Sequence, residues 1–518
     1  MAYDYKRFDY IPPPGLTETE PRHAVAIVGA GPIGLALALE LAQHGVASVV
    51  LDDNDVVSIG SRAICWSKRS LEILDRIGVG DACVEKGVTW KVGRTYHRDR
   101  EVFNFDLLPE DGHKMPAFVN LQQYYVEEYL AAACQASDLI DLRFKNEVTG
   151  LSQNADDITL SIETSDGAYA LDAHYVVACD GARSPIRAIM NLDFEGELFE
   201  ERFLIADIEM KADFPSERRF WFEPTFHPGQ SALLHKQPDD IYRIDLQLGW
   251  DADVDEEKKP ECVIPRIERV VGHGDFRLDW VSIYTFQCRK LERFVHDQVI
   301  FCGDSAHVVS PFGARGGNGG LQDVDALGWR LAAVVEGRAG AGLLDAYDRE
   351  RRFAAAENLR HSSRSTRFMT PADGVERLFR DQILTLAEHA DFARPMVNSG
   401  RLSKPSVYPL DGAPDDPSFP DASRPGAVAP DVPLGDGWLL GRLGRKPVLL
   451  SIGVDAPPMD GCRGLKLEET TFIRSRYLGK ATAALYLIRP DQVVVARWTE
   501  ADAETIGAAV NAIWEGAL

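Results

Sequence analysis

The chain is 518 residues long, 45% apolar and 26% charged; that apolar content excludes a disordered chain, and the length divides into about two to four domains. Its 56 basic and 80 acidic residues leave a net charge of −24, which repels phosphate backbones and anionic lipid, so neither nucleic acid nor a membrane surface is an expected partner. The eight cysteines are scattered without a Cys-x-x-Cys pair, so zinc knuckles, dithiol redox pairs and metal sites are not expected.

Residues 1–22 read as a solvated arm, since Pro13 and Pro14 block regular structure, and their polar character is unlike a secretory signal core. No uncharged apolar run reaches the ~18 residues of a membrane helix, so a cytoplasmic protein is expected. From His23 the texture becomes strand (His23–Val28), Gly-rich turn, helix (Leu35–His44) and strand (Ala47–Leu51), a βαβ unit. Ile158–Ile162 and Ala168–Leu171 flank Ser165-Asp166-Gly167 and predict a hairpin, with Tyr175–Ala178 a separate buried strand. Residues 200–290 alternate repeatedly, as in Arg219–Phe222, Tyr242–Leu248 and Leu278–Phe286, and predict a separate antiparallel sheet. Val299–Cys302 is a buried strand, and Asp323–Glu336 and Leu343–Asn358 are helices. Tyr408–Gly437, rich in Pro, Asp and Gly, reads as a linker. Trp438–Ile452, Ala483–Arg489 and Val493–Trp498 then predict strands, and Ala501–Trp514 a closing helix.

Gly29-Ala30-Gly31-Pro32-Ile33-Gly34 lies between the first strand and the first helix. Gly29 permits the turn, Gly31 lets the backbone approach a pyrophosphate, Gly34 lets helix and sheet pack, and the helix N-terminus offers N–H groups to phosphate. Asp52-Asp53 ends the second strand, where a carboxylate accepts from a ribose. The hexapeptide alone does not separate FAD from NAD.

Cys179-Asp180-Gly181-Ala182-Arg183-Ser184-Pro185-Ile186-Arg187 resembles the "DG" motif of flavoprotein aromatic hydroxylases. Gly303-Asp304-Ser305-Ala306-His307 resembles their "GD" motif, which continues through Pro311-Phe312-Gly313-Ala314-Arg315-Gly316-Gly317-Asn318-Gly319-Gly320-Leu321-Gln322-Asp323. The resemblance covers about residues 23–360 and is to the 3-(3-hydroxyphenyl)propionate hydroxylase and phenol hydroxylase branches in particular. It implies an α/β fold: a Rossmann-like FAD-binding domain over 23–195 and 291–407, and an interleaved antiparallel-sheet substrate domain over 196–290, joined by a segment near 90–120. Residues 408–518 would be the linker and a thioredoxin-like domain, whose single Cys462 excludes dithiol chemistry. It further implies that Asp304 binds the ribityl chain, with Gln123 nearby, and that Arg62 meets the pyrophosphate. Asp180, with Arg183 and Arg187, would serve FAD and the nicotinamide cofactor. Pro311, Gly316, Gly317 and Asn318 would face the flavin's pyrimidine edge. Ala314-Arg315 and Gly317 depart from the family's commoner residues, and His307 reads as structural.

The activity implied is hydroxylation of a phenolic or related ring, with NADPH or NADH, O₂ and a flavin hydroperoxide, by a homodimer. Such a pocket needs a group that takes or stabilises the phenolic proton. Alternation along Tyr242–Gln247 puts Arg243, Asp245 and Gln247 on one face, and His235 ends the preceding strand; His235, Arg243 and Gln247 are the candidate catalytic residues. His227, in a Pro-flanked turn, is a further candidate. Other flavoenzymes of the fold, epoxidase or halogenase-like, are the alternatives, although no Trp-x-Trp-x-Ile-Pro stretch of a halogenase is present. A non-catalytic FAD-fold protein need not keep Asp304 or Gly316–Asn318.

Overall fold

The computed structural model describes residues 3–60, 62–154, 157–249, 251–371, 374–397, 402–410 and 412–517. Strand His23–Val28 is central to an eight-stranded sheet, paired in parallel with Ser48–Asp52 on one side and Gly167–Ala178 on the other. Ile140–Phe144 and Val299–Phe301 extend this parallel core outward. Strands covered on both faces read as continuous apolar runs, which is why these were visible in the sequence. Helix Pro32–Gln43 packs between helices Gln123–Gln135 and Gly316–Val335, so the chain's first helix touches the one that opens the second half of the domain. This is a Rossmann-type α/β domain.

Several boundaries differ from expectation. Gly167–Ala178 is one strand, its first half antiparallel to Ile158–Thr164 and its second half parallel to His23–Val28. The hairpin arm and the separate strand are thus continuous. The expected helices at 35, 323 and 343 begin earlier, at Pro32, Gly316 and Gly342, and the last runs on to Met369. Proline at the first helical position favours such a start. The glycines of Gly316–Gly320 permit close packing inside the helix: a Cβ on Gly320 would fall 2.6 Å from Ile33 Cδ1. Trp438–Ile452 is a two-residue strand, a short helix Leu439–Arg442 and a strand Val448–Ile452, because the Asp431 carboxylate accepts from Leu440 N at 3.1 Å and starts the helix. Residues 3–22 do not float free. Tyr3 stacks on Tyr124 with centroids 4.0 Å apart, and buried Phe8 stacks on Phe144 at 4.3 Å.

A second eight-stranded sheet runs in the order His307–Val308, Arg277–Lys290, Glu195–Glu209, Ile241–Leu248, Ser231–Lys236, Arg218–Phe222, Val92–His97, Arg100–Asp106. Only Arg218–Phe222 with Val92–His97 is parallel. One face of this substrate sheet buries Leu204, Ile244 and Leu246 with Val263 and Ile267 of helix Pro260–Val271. The other carries Phe203, Phe222 and Leu233 against Met369 at the end of the long helix and against Ile383 and Leu384 of helix Val375–Ala387.

The C-terminal part has its own core and a four-stranded sheet ordered Arg463–Leu467, Val448–Ile452, Ala484–Ile488, Val494–Trp498. A buried ion cluster fastens it to the first domain. Glu350 accepts from Arg489 Nη1 at 2.6 Å and from Arg330 Nη2 at 2.9 Å, while Asp491 accepts from Arg489 Nη2 at 2.9 Å. Burial works to raise the Glu350 carboxyl, but Arg330 and Arg489 hold it below its usual range. No helix of the described residues is long and apolar enough to cross a membrane. Replacing Glu350 by Ala leaves two buried guanidiniums to share Asp491, which is expected to remove about 3 kcal/mol of stability. A chemical-denaturation midpoint equal to that of the unsubstituted protein would show that the cluster holds nothing together.

Candidate active site

At the glycine turn, Gly29 has φ +105° and a Cβ there would lie 2.6 Å from Cys179 O, while one on Gly34 would lie 1.9 Å from Gly29 O. Gly31 is different: nothing lies within 4 Å of its Cβ position. Two glycines are required by packing, and the third opens a cradle at the N-terminus of helix Pro32–Gln43, suited to phosphate. Asp52 accepts from Ala30 N at 2.5 Å and from Asn54 N at 2.8 Å. Burial lifts it to about 6 against those two bonds. Its first task is therefore to hold the glycine loop, and a ribose hydroxyl would share oxygens already engaged.

Across the groove, Gly303 takes φ +70° and turns Asp304 outward. Asp304 accepts no hydrogen bond from any described residue, and its side chain is open to solvent although walled by protein, which raises it above the usual carboxylate range. A Cβ on Gly316 would lie 3.9 Å from Asp304 Oδ1, so the aspartate and the first turn of helix Gly316–Val335 border the same space. The first helical bond in that turn is Gly319 N to Arg315 O at 2.7 Å. The N–H groups of Gly316, Gly317 and Asn318 find no acceptor among the described residues, leaving donors and the positive end of the dipole exposed. Beside them, a Cβ on Gly317 would lie 3.4 Å from the Trp66 ring.

The other predicted cofactor residues divide into free groups and fasteners. Asp180 accepts at Oδ2 from Ser184 Oγ (2.8 Å) and Ile186 N (3.0 Å), while its buried Oδ1 accepts nothing. Arg187 donates to Ser305 O at 2.9 Å and so ties the two motifs together, while Arg183 is exposed. Arg62 is exposed and near enough to Asp304 and Glu127 to favour their ionised forms. Gln123 is a fastener, accepting from Ala63 N at 3.1 Å and donating to Glu127 at 2.7 Å. Glu127, unremarked in the sequence, also accepts from Ser58 N at 2.5 Å and so shapes the loop that carries Arg62. The side chain of Asn318 is fully engaged, accepting from Ser67 N (2.9 Å) and donating to Cys65 O (2.8 Å) and Ala314 O (2.6 Å). Only its backbone N–H remains for a ligand. Pro311 is exposed and accepts from Ala314 N at 3.0 Å in the turn before the helix. An open cradle, unpartnered carboxylate oxygens and free N–H groups together fit a ligand with phosphates, sugar hydroxyls and an acceptor-rich ring edge, as FAD has.

Beneath the groove lies Asp323, fully buried. It accepts from Arg351 Nε at 2.5 Å, His307 Nε2 at 2.7 Å and Gly303 N at 2.9 Å. Burial works to raise it, yet His307 and Arg351 hold it down at about 2. His307 is thus structural.

A cleft adjoins the loop leading into helix Gly316–Val335, between Phe312, Gly313 and Arg315 on one wall and Phe105, Arg218, Phe220 and Phe222 of the substrate sheet on another. The sheet register sets Arg218 beside His235, His235 opposite Arg243 and Arg243 opposite Asp207 in one row. Of the three catalytic candidates, none lines the cleft. Arg243 donates to Asp245 at 2.8 Å and to Arg62 O at 2.9 Å, so it is a positioning residue for the Arg62 loop. Gln247 accepts from Ser231 N at 2.9 Å, two rows away, and its carbonyl bonds His227 at 2.6 Å; both side chains fasten that turn. His235 is buried, its Nδ1 3.8 Å from Cys65 Sγ, and burial with Arg218 and Arg243 keeps it well below its ordinary range and neutral. Arg218, not among the candidates, does line the cleft. Alternation back from Phe220 and Phe222 places it on their face, and that signal was available.

The family described as "FAD binding domain" matches residues 22–362, and the chain belongs to it. A protein of Mycobacteroides abscessus described as "Flavin-dependent monooxygenase" is 30% identical over 494 residues, covering 90% of this chain and 95% of that one. A "3-(3-hydroxy-phenyl)propionate/3-hydroxycinnamic acid hydroxylase" of Mycolicibacterium smegmatis is 28% identical over 362 residues, 70% of this chain but only 64% of that protein's length. Among solved structures, the flavin-dependent monooxygenase PieE in complex with FAD and substrate superposes with TM-score 0.79 at 21% identity, over 96% of this chain and 99% of that one. OxyS anhydrotetracycline hydroxylase from Streptomyces rimosus does so with TM-score 0.74 at 26% identity, over 96% and 99%.

Two outcomes are expected. Asp304→Ala should purify pale, with a reduced flavin-to-protein absorbance ratio but an unaltered apoprotein melting temperature, since Asp304 bonds no described residue; a fully yellow variant would remove it from the flavin site. Asp323→Asn should lose about 3–5 kcal/mol at neutral pH. The deficit should shrink as pH falls from about 4 towards 2, because a carboxylate with a depressed folded-state pKa stabilises above its unfolded value and loses that contribution on protonation. A deficit constant across that range, in paired denaturation curves, would refute the assignment.

Proposed function

We propose that the chain is an FAD-dependent monooxygenase that hydroxylates a phenolic or related aromatic ring, with NADH or NADPH as reductant and O₂ as co-substrate. One observation carries this reading: the aromatic cleft and the flavin-fitting helix N-terminus share the Phe312–Arg315 loop, so a ring bound in the cleft would adjoin the residues that would hold the flavin. Bound FAD supplies electron transfer from the nicotinamide and the activation of oxygen. The chain's own residues bind, orient and dry the site. The free N–H groups of Gly316, Gly317 and Asn318 favour negative charge placed at the helix end. Phe105, Phe220, Phe222 and Phe312 hold a flat ring and exclude water from it.

We read the C-terminal part as thioredoxin-like and non-catalytic. A parallel strand pair, an antiparallel hairpin and the closing helix Ala503–Trp514 support this, although no helix links the parallel pair. A homodimer is supported by the exposure of Val375, Leu378 and Phe379 on one helix. A cytoplasmic location belongs to the same reading, with all eight cysteines free.

The test is NADH and NADPH consumption by the flavin-loaded protein against a panel of phenols, with peroxide assayed alongside. An aromatic that accelerates consumption and yields hydroxylated product with little peroxide is the expected result. A yellow protein that no aromatic stimulates would overturn the hydroxylase reading.

A further inference from the structure

We propose that Tyr5, on the N-terminal arm, is a positioning residue for Arg62, so that docking of the arm and binding of FAD are coupled. The inference rests on the preceding reading only in taking Arg62 to meet the pyrophosphate of bound FAD.

Among the described residues, 54–60 and 62–64 form no helix or strand, and their one ladder contact is a bridge at Val56. A loop without a ladder of its own must find acceptors for its N–H groups elsewhere. Helix Gln123–Gln135 supplies two, Glu127 for Ser58 N and Gln123 for Ala63 N. The arm supplies two more: Val57 N donates to Lys6 O at 3.2 Å, and Gly60 N to Tyr5 Oη at 2.9 Å. Phe8 N returns a bond to Asp55 O at 2.8 Å, so Arg7 and Val56 pair as an antiparallel bridge. The arm is anchored on its far side as well. The Tyr3 hydroxyl donates to Glu128 at 2.9 Å, and its ring stacks on Tyr124. In an extended segment Tyr3 and Tyr5 share one face, and their rings meet edge to face with centroids 5.1 Å apart. Anchoring Tyr3 therefore aims Tyr5.

Gly60 is where this grip acts. Its φ is +79°, and a Cβ there would fall 2.2 Å from the Trp280 ring, so the turn is pressed against the substrate sheet with no room for a side chain. The backbone N–H is the handle that remains, and Tyr5 takes it. Burial raises the Tyr5 phenol, and Asp279 and Asp207 add to the rise against the Gly60 bond. Asp207 is paired across the sheet with Trp280, so the Tyr5 hydroxyl sits where arm, loop and sheet meet. Two residues beyond Gly60, Arg62 N donates to Gly60 O at 3.1 Å and Arg62 O accepts from Arg243 at 2.9 Å. The backbone of Arg62 is thus engaged on both sides while its side chain stays exposed. A long exposed side chain gives up freedom when it clamps a phosphate, and a preset backbone lowers that cost. Releasing Gly60 N should therefore weaken the hold on FAD.

The test reads FAD binding rather than turnover. The full-length apoprotein is titrated with FAD, and the Kd is taken from the change in flavin fluorescence. Tyr5→Phe, which removes one hydroxyl, should raise that Kd about 10-fold, but less than about 2-fold when Arg62 is already Ala, as coupled neighbours do. Equal rises in the two backgrounds would show Tyr5 acting on the fold alone and would overturn the proposal. So would an unchanged Kd in either Tyr5→Phe or Arg62→Ala. Reciprocity gives a second reading that needs no Tyr5 variant, since what the arm lends to FAD binding FAD must return to the arm. Saturating FAD should slow tryptic cleavage after the exposed Lys6 and Arg7 in the unsubstituted chain, and should fail to do so in Arg62→Ala. Cleavage at one rate with and without FAD would overturn the proposal, and this measurement decides alone if Tyr5→Phe does not fold. If the coupling holds but no aromatic is hydroxylated, the monooxygenase reading fails and this one stands.

Discussion

The groove depends on one buried carboxylate. Asp323 lies at the end of the glycine-rich motif, and three groups that must be fixed for the site to exist converge on it. Gly303 N brings in the turn that aims Asp304, His307 brings in the strand leaving that turn, and Arg351 brings in the long helix. Arg351 then donates onward to Gly319 O at 3.2 Å, in the turn with the free N–H groups, and to Tyr408 Oη at 2.7 Å, in the segment beyond the domain. A fully buried carboxylate is tolerated only when its charge is matched and its lone pairs are used. Here the groups that satisfy it are also the groups that need aligning. Removing its charge would leave Arg351 and His307 facing one another, and the groove's two walls would lose their common reference.

What the sequence made legible was local. The glycine turn, the parallel strands and the two late motifs are short-range patterns whose physics lies within a few residues, and in the structure packing requires Gly29 and Gly34 while Gly31 stays open at the helix N-terminus. What it hid was partnership. Alternation set Arg243, Asp245 and Gln247 on one face, and the register agrees. Face alone, however, does not reveal that Arg243 is held by a carboxylate two residues on, or that Gln247 fastens a turn. The side chain of Asn318 is likewise committed at long range, to Cys65 and Ser67 some 250 residues away in sequence, which leaves its backbone N–H as the group a ligand can use. Arg218 precedes an aromatic run; alternation separates it from Arg219 and puts it on the face of Phe220 and Phe222, but which groups pair with either arginine is a tertiary fact.

The C-terminal part looks remote from the chemistry, yet the long helix connects them. Consecutive helical residues point about 100° apart, so Glu350 and Arg351 serve different neighbours from adjacent positions. Glu350 grips Arg489 of the C-terminal sheet and Arg330 of the first domain, while Arg351 grips Asp323 beneath the groove. The same helix ends at Ser365 and Met369, which line the cleft. A tilt of this helix would therefore shift the flavin-side wall and the substrate-side wall together. Fastening it by a buried ion cluster to a domain with its own core fixes that angle without placing any C-terminal residue among the cleft's lining. That is a sufficient physical reason for the domain to be present, and it needs no second thiol beside Cys462.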